Sequence, residues 1–105
     1  MRVAAVMSDL MLFSRIDAAA TTAGASLVRV DAPAQLPDDV DLILVDWSAR
    51  ATDWADALHS HTTNARVILF GRHTDLEAHA DARAAGLDPM WARSKLVAEL
   101  PAILA

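Results

Sequence analysis

The sequence predicts an α/β domain built on a parallel sheet with helices on both faces. Three observations carry this. Strand-like and helix-like stretches alternate along the chain, the pattern of parallel βα units. Two of the strand-like stretches, Asp41-Leu-Ile-Leu-Val-Asp46 and Ala65-Arg-Val-Ile-Leu-Phe70, carry continuous apolar runs rather than alternating ones. Such runs suit strands covered on both faces. With 105 residues, 54% of them hydrophobic and 22% charged, the chain forms one domain, 1–105, that can bury a core without disulfides, and it contains no cysteine.

Taken in order, Arg2 to Met7 is a short apolar strand. Ser8 is the expected N-cap of the first helix, with Asp9 favouring its positive end. Leu12, Ile16, Ala19, Ala20 and Ala23 recur at helical steps, and Gly24 ends the helix. Ala25 to Val30 is the second strand, with Leu27, Val28 and Val30 as core candidates. The following segment carries Pro33 and Pro37, so it is too interrupted for a full helix, and one turn around Ala34 to Leu36 is expected. The third strand, about Asp41 to Asp46, leads into a loop from Trp47 to Ala51. Thr52 then caps a helix to about Ser60 that points Trp54, Leu58 and Ala55 inward. Ala65 to Phe70 is the fourth strand and Gly71-Arg72-His73 its exit. Thr74 and Glu77 have the spacing of a capping box, and that helix runs through Ala78, Ala82 and Ala85 to Gly86. Met90 to Ala92 is a last strand. Ser94 caps a final helix with Leu96, Val97, Leu100, Ile103 and Leu104, which Pro101 should kink or divide.

Asp46 is the first candidate functional residue. It stands at the C-terminal end of the third strand, the edge where open α/β sheets hold ligands and chemistry. Composition narrows the possibilities. The net charge is −5, from 14 acids and 9 bases, and no Lys/Arg cluster is present, which argues against nucleic acid or an anionic membrane surface as partner. No apolar run approaches the ~18 residues of a membrane span. The start, Met1-Arg2-Val3, lacks a signal-peptide pattern, and the reading is a soluble cytoplasmic domain. His59, His61, His73 and His79 have no spacing that pairs them as metal ligands, and the three isolated glycines form no phosphate loop. Trp47, Trp54 and Trp91 suit core packing or, alternatively, a partner interface.

The order of elements, the Asp46 that ends the third strand, and Ala84-Ala85-Gly86-Leu87-Asp88 running on to Arg93-Ser94 resemble the response-regulator receiver domain over essentially the whole chain. The resemblance implies a flavodoxin-like three-layer sandwich, with a five-stranded parallel sheet, helices on both faces and a second helix reduced or absent. It places Asp46 at the phospho-acceptor position. Phosphoryl transfer is governed by electrostatics and positioning, and the family holds magnesium on an acid pair after the first strand. Met7 and Ser8 stand opposite that pair, which leaves Asp9 as the candidate metal ligand. Gly71 stands where the family has Thr or Ser. Arg93 stands where it has Lys, and this exchange is not conservative. By this resemblance the expected function is that of an atypical receiver-like signalling domain. It would work by protein–protein contact with another signalling protein or a second copy, with phosphotransfer lost or impaired. No cofactor is expected unless Asp46 is active with magnesium. Arg93 is the expected partner of Asp46, and the face carrying Trp91, Leu96 and Leu100 is the expected interface. An active receiver phosphorylated on Asp46 is one alternative. A small-molecule-binding or enzymatic domain on the same scaffold is another, which a pocket lined by Asp9, Asp46, Trp47 and Arg93 would favour.

Overall fold

The computed structural model describes residues 1–61, 64–87 and 89–105. Asp88, quoted above for the resemblance, lies outside the described residues. Five strands, β1 (Arg2–Val6), β2 (Ser26–Val30), β3 (Leu42–Asp46), β4 (Arg66–Gly71) and β5 (Met90–Ala92), alternate with α1 (Leu10–Ala23), α2 (Trp54–Ser60), α3 (Leu76–Ala84) and α4 (Arg93–Ile103). All strand pairs are parallel, in the order β2-β1-β3-β4-β5, so the fold is flavodoxin-like. The direction in which successive strands are added across the sheet reverses between β1 and β3. The exits of these two strands therefore flank the crevice where such sheets place their sites.

The continuous apolar runs divide by alternation between two cores. Val3, Ala5, Leu42, Leu44, Ile68 and Phe70 pack under α1 and α4, with Ile16, Leu96 and Leu100. Ala4, Val6, Ile43, Val45 and Leu69 pack on the opposite face with Trp47, Trp54, Leu58, Ala78 and Ala82. All five residues of β3 are buried, as a central strand covered twice requires.

The link between β2 and β3 holds a 3-10 turn, Pro33–Gln35, in place of a helix. Pro33, Leu36 and Val40 are buried, and Leu36 and Val40 join the second core, but this cover does not reach Val28, which is 38% exposed on its edge strand rather than in the core. Another 3-10 turn, Trp47–Ala49, follows β3.

Helix boundaries differ from expectation in their caps. Asp9, not Ser8, caps α1, its Oδ1 accepting from the Met11 and Leu12 amides at 3.1 Å each. Asp75, one residue after Thr74, caps α3 by accepting from the Ala78 amide at 3.0 Å, so the box between Thr74 and Glu77 does not form. In both cases a carboxylate adjacent to a hydroxyl residue takes the cap, satisfying the orphan amides with a full charge. Neither Thr52 nor Ser94 caps its helix: α2 begins at Trp54 after Asp53, and α4 begins at Arg93 after Ala92, both without a side-chain cap bond. Gly24 and Gly86 take φ of 73° and 70° just past α1 and α3, as the C-terminal positions demand. Pro101 does not divide α4. It sits in the last turn, where few bonds remain to be lost, and Leu100, Ile103 and Leu104 are buried around it.

Leu96 and Leu100 are 0% and 3% exposed. They belong to the core under α4 and are not available as interface residues: the helix needs them to cover the sheet. Leu96→Ala is expected to cost about 2–5 kcal/mol, the range for a core leucine. Urea unfolding measures it, and a loss under about 0.5 kcal/mol, the size of a surface effect, would contradict this placement.

Candidate functional site

Three elements bring charge to the C-terminal edge of the sheet. Asp46 ends β3 on the side shared with Leu42 and Leu44, toward α1 and α4. Asp9 sits at the start of α1, and Arg93 is the first residue of α4. The Arg93 guanidinium lies between the two acids. Its Nη2 donates to Asp46 Oδ2 at 3.3 Å, and its Nη1 lies 3.6 Å from Asp9 Oδ2. Asp9 thus serves helix and site together, one carboxylate oxygen on the α1 amides and the other toward Arg93. The expected pairing of Arg93 with Asp46 is present in the structure.

Asp46 is 3% exposed, while the Arg93 side chain keeps 39% of its surface in solvent. Asp46 Oδ1 and Arg93 Nε have no hydrogen-bond partner among the described residues. Burial raises the Asp46 carboxyl above its ordinary range, against the pull of Arg93 and of the Ser48 amide, and Asp9 adds a small repulsion in the same direction as burial. No hydrogen bond from the Ser48 amide to Asp46 meets ordinary geometry, so its influence is that of a nearby dipole.

Met7, opposite the family's acid pair, is a core residue, 2% exposed. The described residues assemble no group of three or more His, Asp or Glu able to hold a metal. The two carboxylates present already face a guanidinium, whose charge opposes a divalent ion. This donor set does not fit magnesium.

The β3 exit crosses to the opposite face. Trp47 is buried, and its indole Nε1 has no hydrogen-bond partner among the described residues. The Arg50 guanidinium lies 5.8 Å from the Trp47 ring centroid, and its Nε donates to Asp81 of α3 at 2.9 Å, with Nη2 on the same carboxylate oxygen. The Ser48 hydroxyl accepts from the Arg72 amide at 2.9 Å. Asp75 is held below the ordinary carboxylate range by the Ala78 amide first, and also by the Ser48 hydroxyl, Arg50 and Arg72. Sequence reading missed Ser48, Arg50 and Asp81. Their contacts span 24 and 31 positions, and no local pattern announces them.

Trp91 is half-buried, packed on the core under α4, with Lys95 Nζ 4.8 Å from its ring centroid. Of the three residues expected at that face, Trp91 is the one that reaches the surface. The most exposed large apolar side chains are Met11, Leu76 and Leu10. His59, His61 and His79 bond through Nε2 to the carbonyls of Ala85, Pro37 and His73. Asp9 and Arg93 line a groove of about 600 Å³ with Arg15, Leu12 and Val97, whereas Trp47 lines another, with Arg50 and Asp81, across the sheet. The residues whose shared pocket would have favoured a small-molecule-binding or enzymatic domain are therefore divided by β3, Asp9 and Arg93 on one side and Trp47 on the other.

The chain matches no protein-family model, and a search of curated proteins returns no significantly similar sequence. No helix among the described residues is long and apolar enough to cross a membrane.

The Asp46 shift has a definite sign. An acid whose folded-state pKa is raised contributes stability below its unfolded value, about pH 4, and loses that contribution as pH rises through the folded value. Asp46→Asn stays neutral throughout. Its urea midpoint at pH 7 is expected to exceed that of wild type, with the gap closing toward pH 4; a less stable variant at pH 7 would reverse the assignment. Arg93→Ala leaves the buried carboxylate without its cation and is expected to destabilise at pH 7. Adding Asp46→Asn should recover much of that loss, which a double-mutant cycle reads directly.

Proposed function

We propose that this chain is an atypical receiver-like signalling domain that acts by protein–protein contact and has lost or weakened phosphotransfer. The observation carrying this is the Arg93 guanidinium held between Asp46 and Asp9. In a switching receiver the acceptor carboxylate awaits a cation and a phosphoryl group. Here an internal cation already lies against it, and the site is electrostatically set in one state. The reading gains support from three further features. Asp46 is too buried to meet a donor without movement of Arg93, Gly71 supplies no hydroxyl while that of Ser48 is held by the Arg72 amide, and the second carboxylate is engaged in capping α1. Such a domain would influence another signalling protein, or a second copy of itself, through surfaces fixed by the fold, Trp91 among them.

The test is intact mass after incubation with a small acyl phosphate, with and without magnesium, on wild type and Asp46→Asn. No adduct on folded protein is the expected result. A single phosphate adduct that requires magnesium and disappears in the variant would establish a working phospho-acceptor instead.

A further inference from the structure

Gly71 leaves the end of β4 without a side chain, yet the space above it is filled. A Cβ built on Gly71 would collide with Ser48 Oγ and would meet Met90 Sδ at 2.9 Å and Ser48 Cβ at 3.2 Å. The methionine sulfur lies toward the end of a flexible side chain and can yield at small cost. The serine cannot yield so simply. Its hydroxyl is held by the Arg72 amide at 2.9 Å, so any rotation about χ1 that makes room for a Cβ gives up that bond. Gly71 is thus glycine for a steric reason, and the occupant of its side-chain space is a hydroxyl from the neighbouring strand's exit.

We propose that Ser48 and Gly71 are an exchanged pair, in which Ser48 supplies the hydroxyl of this edge and acts as the positioning residue that fixes the β4 exit against the β3 exit. The hydroxyl faces the first amide after β4, that of Arg72, and lies close enough to Asp75 to favour its ionised form. Asp75 in turn caps α3 through the Ala78 amide. One side chain therefore ties the end of β3 to the first residue after β4, three residues before the Asp75 that caps α3. Arg50, two residues along the same exit, reaches Asp81 further along α3 and reinforces the link. The segment most directly placed to carry a change from the sheet edge to α3 is pinned from the β3 side. The geometry stands by itself; its meaning as a second device that keeps a signalling domain in one state rests on the receiver-like reading above.

The test uses Ser48→Ala, Gly71→Ala and the double variant, with NMR amide exchange and thermal unfolding. Ser48→Ala should speed exchange of the Arg72 amide on the order of tenfold, the worth of one hydrogen bond, and should loosen the Ala78 amide at the start of α3. Gly71→Ala should lower the melting temperature in the wild-type background and do so far less in the Ser48→Ala background. Where Gly71→Ala alone fails to fold, recovery of the fold in the double variant reads the same coupling. Unchanged Arg72 exchange in Ser48→Ala would overturn the proposal, as would an equal cost of Gly71→Ala in both backgrounds. Neither measurement involves a phosphoryl group, so failure here and failure of the functional reading are separate results.

Discussion

The edge of this sheet is arranged around one buried carboxylate. Asp46 ends a strand whose other four residues are apolar and fully covered, and it cannot retreat to solvent because β1 and β4 flank it. A single bond at 3.3 Å to a half-exposed guanidinium is modest compensation, and Oδ1 has no partner among the described residues. The raised Asp46 pKa follows from that balance. Stability alone does not account for an acid here, since an amide or an apolar residue would avoid the cost of burying charge. The carboxylate is thus the point at which the fold departs from the consistency shown elsewhere in the chain, and such departures are a mark of sites.

The identity of the cation matters as much as its charge. Arg93 reaches the two acids with different nitrogens, Nη2 toward Asp46 and Nη1 toward Asp9. A planar fork can span two carboxylates on separate elements, whereas a single ammonium on a flexible stem concentrates on one point. The result joins the end of β3, the start of α1 and the start of α4 around one group. It also gives Asp9 two duties, because the carboxylate that closes the first turn of α1 is the one turned toward Arg93. A cation shared in this way belongs to the packing of the helices as well as to the chemistry of the edge.

How much of this was legible in the sequence depends on the range of the contacts. The sheet was legible because the runs at Leu42–Val45 and Val67–Phe70 state double coverage without reference to the rest of the chain. The reduced connection after β2 was legible because Pro33 and Pro37 forbid a helix locally. The caps of α1 and α3 were located to within a residue but misassigned, since Ser8 and Asp9, or Thr74 and Asp75, are adjacent candidates and only backbone geometry decides between them, whereas Ser94 lies two residues past the Ala92 that precedes α4. The pairing of Arg93 with Asp46 followed from topology, because parallel strands bring their C-terminal ends to one edge. Leu96 and Leu100 were read as residues of the final helix and assigned to an interface with Trp91. The structure decides for the core, because α4 has few other large side chains with which to cover the sheet. Ser48 was silent: its role exists only because residue 71 lacks a Cβ, and that relation spans two strands.

The strand that carries the site also divides it. Asp46 points to the face of α1 and α4, where Asp9 and Arg93 meet it. Trp47 packs in the opposite core, and Ser48 and Arg50 lead on to the β4 exit and α3. The two halves, one ionic and one built on a hydroxyl and an aromatic ring, are separated by a single strand end and joined through the backbone of the β3 exit. A change in the charge state of Asp46 would therefore act on α3 by moving that short exit, and the exit is held on its far side by the Arg72 amide and by Asp81. The same contacts that make the edge rigid also insulate the α3 side from events at Asp46.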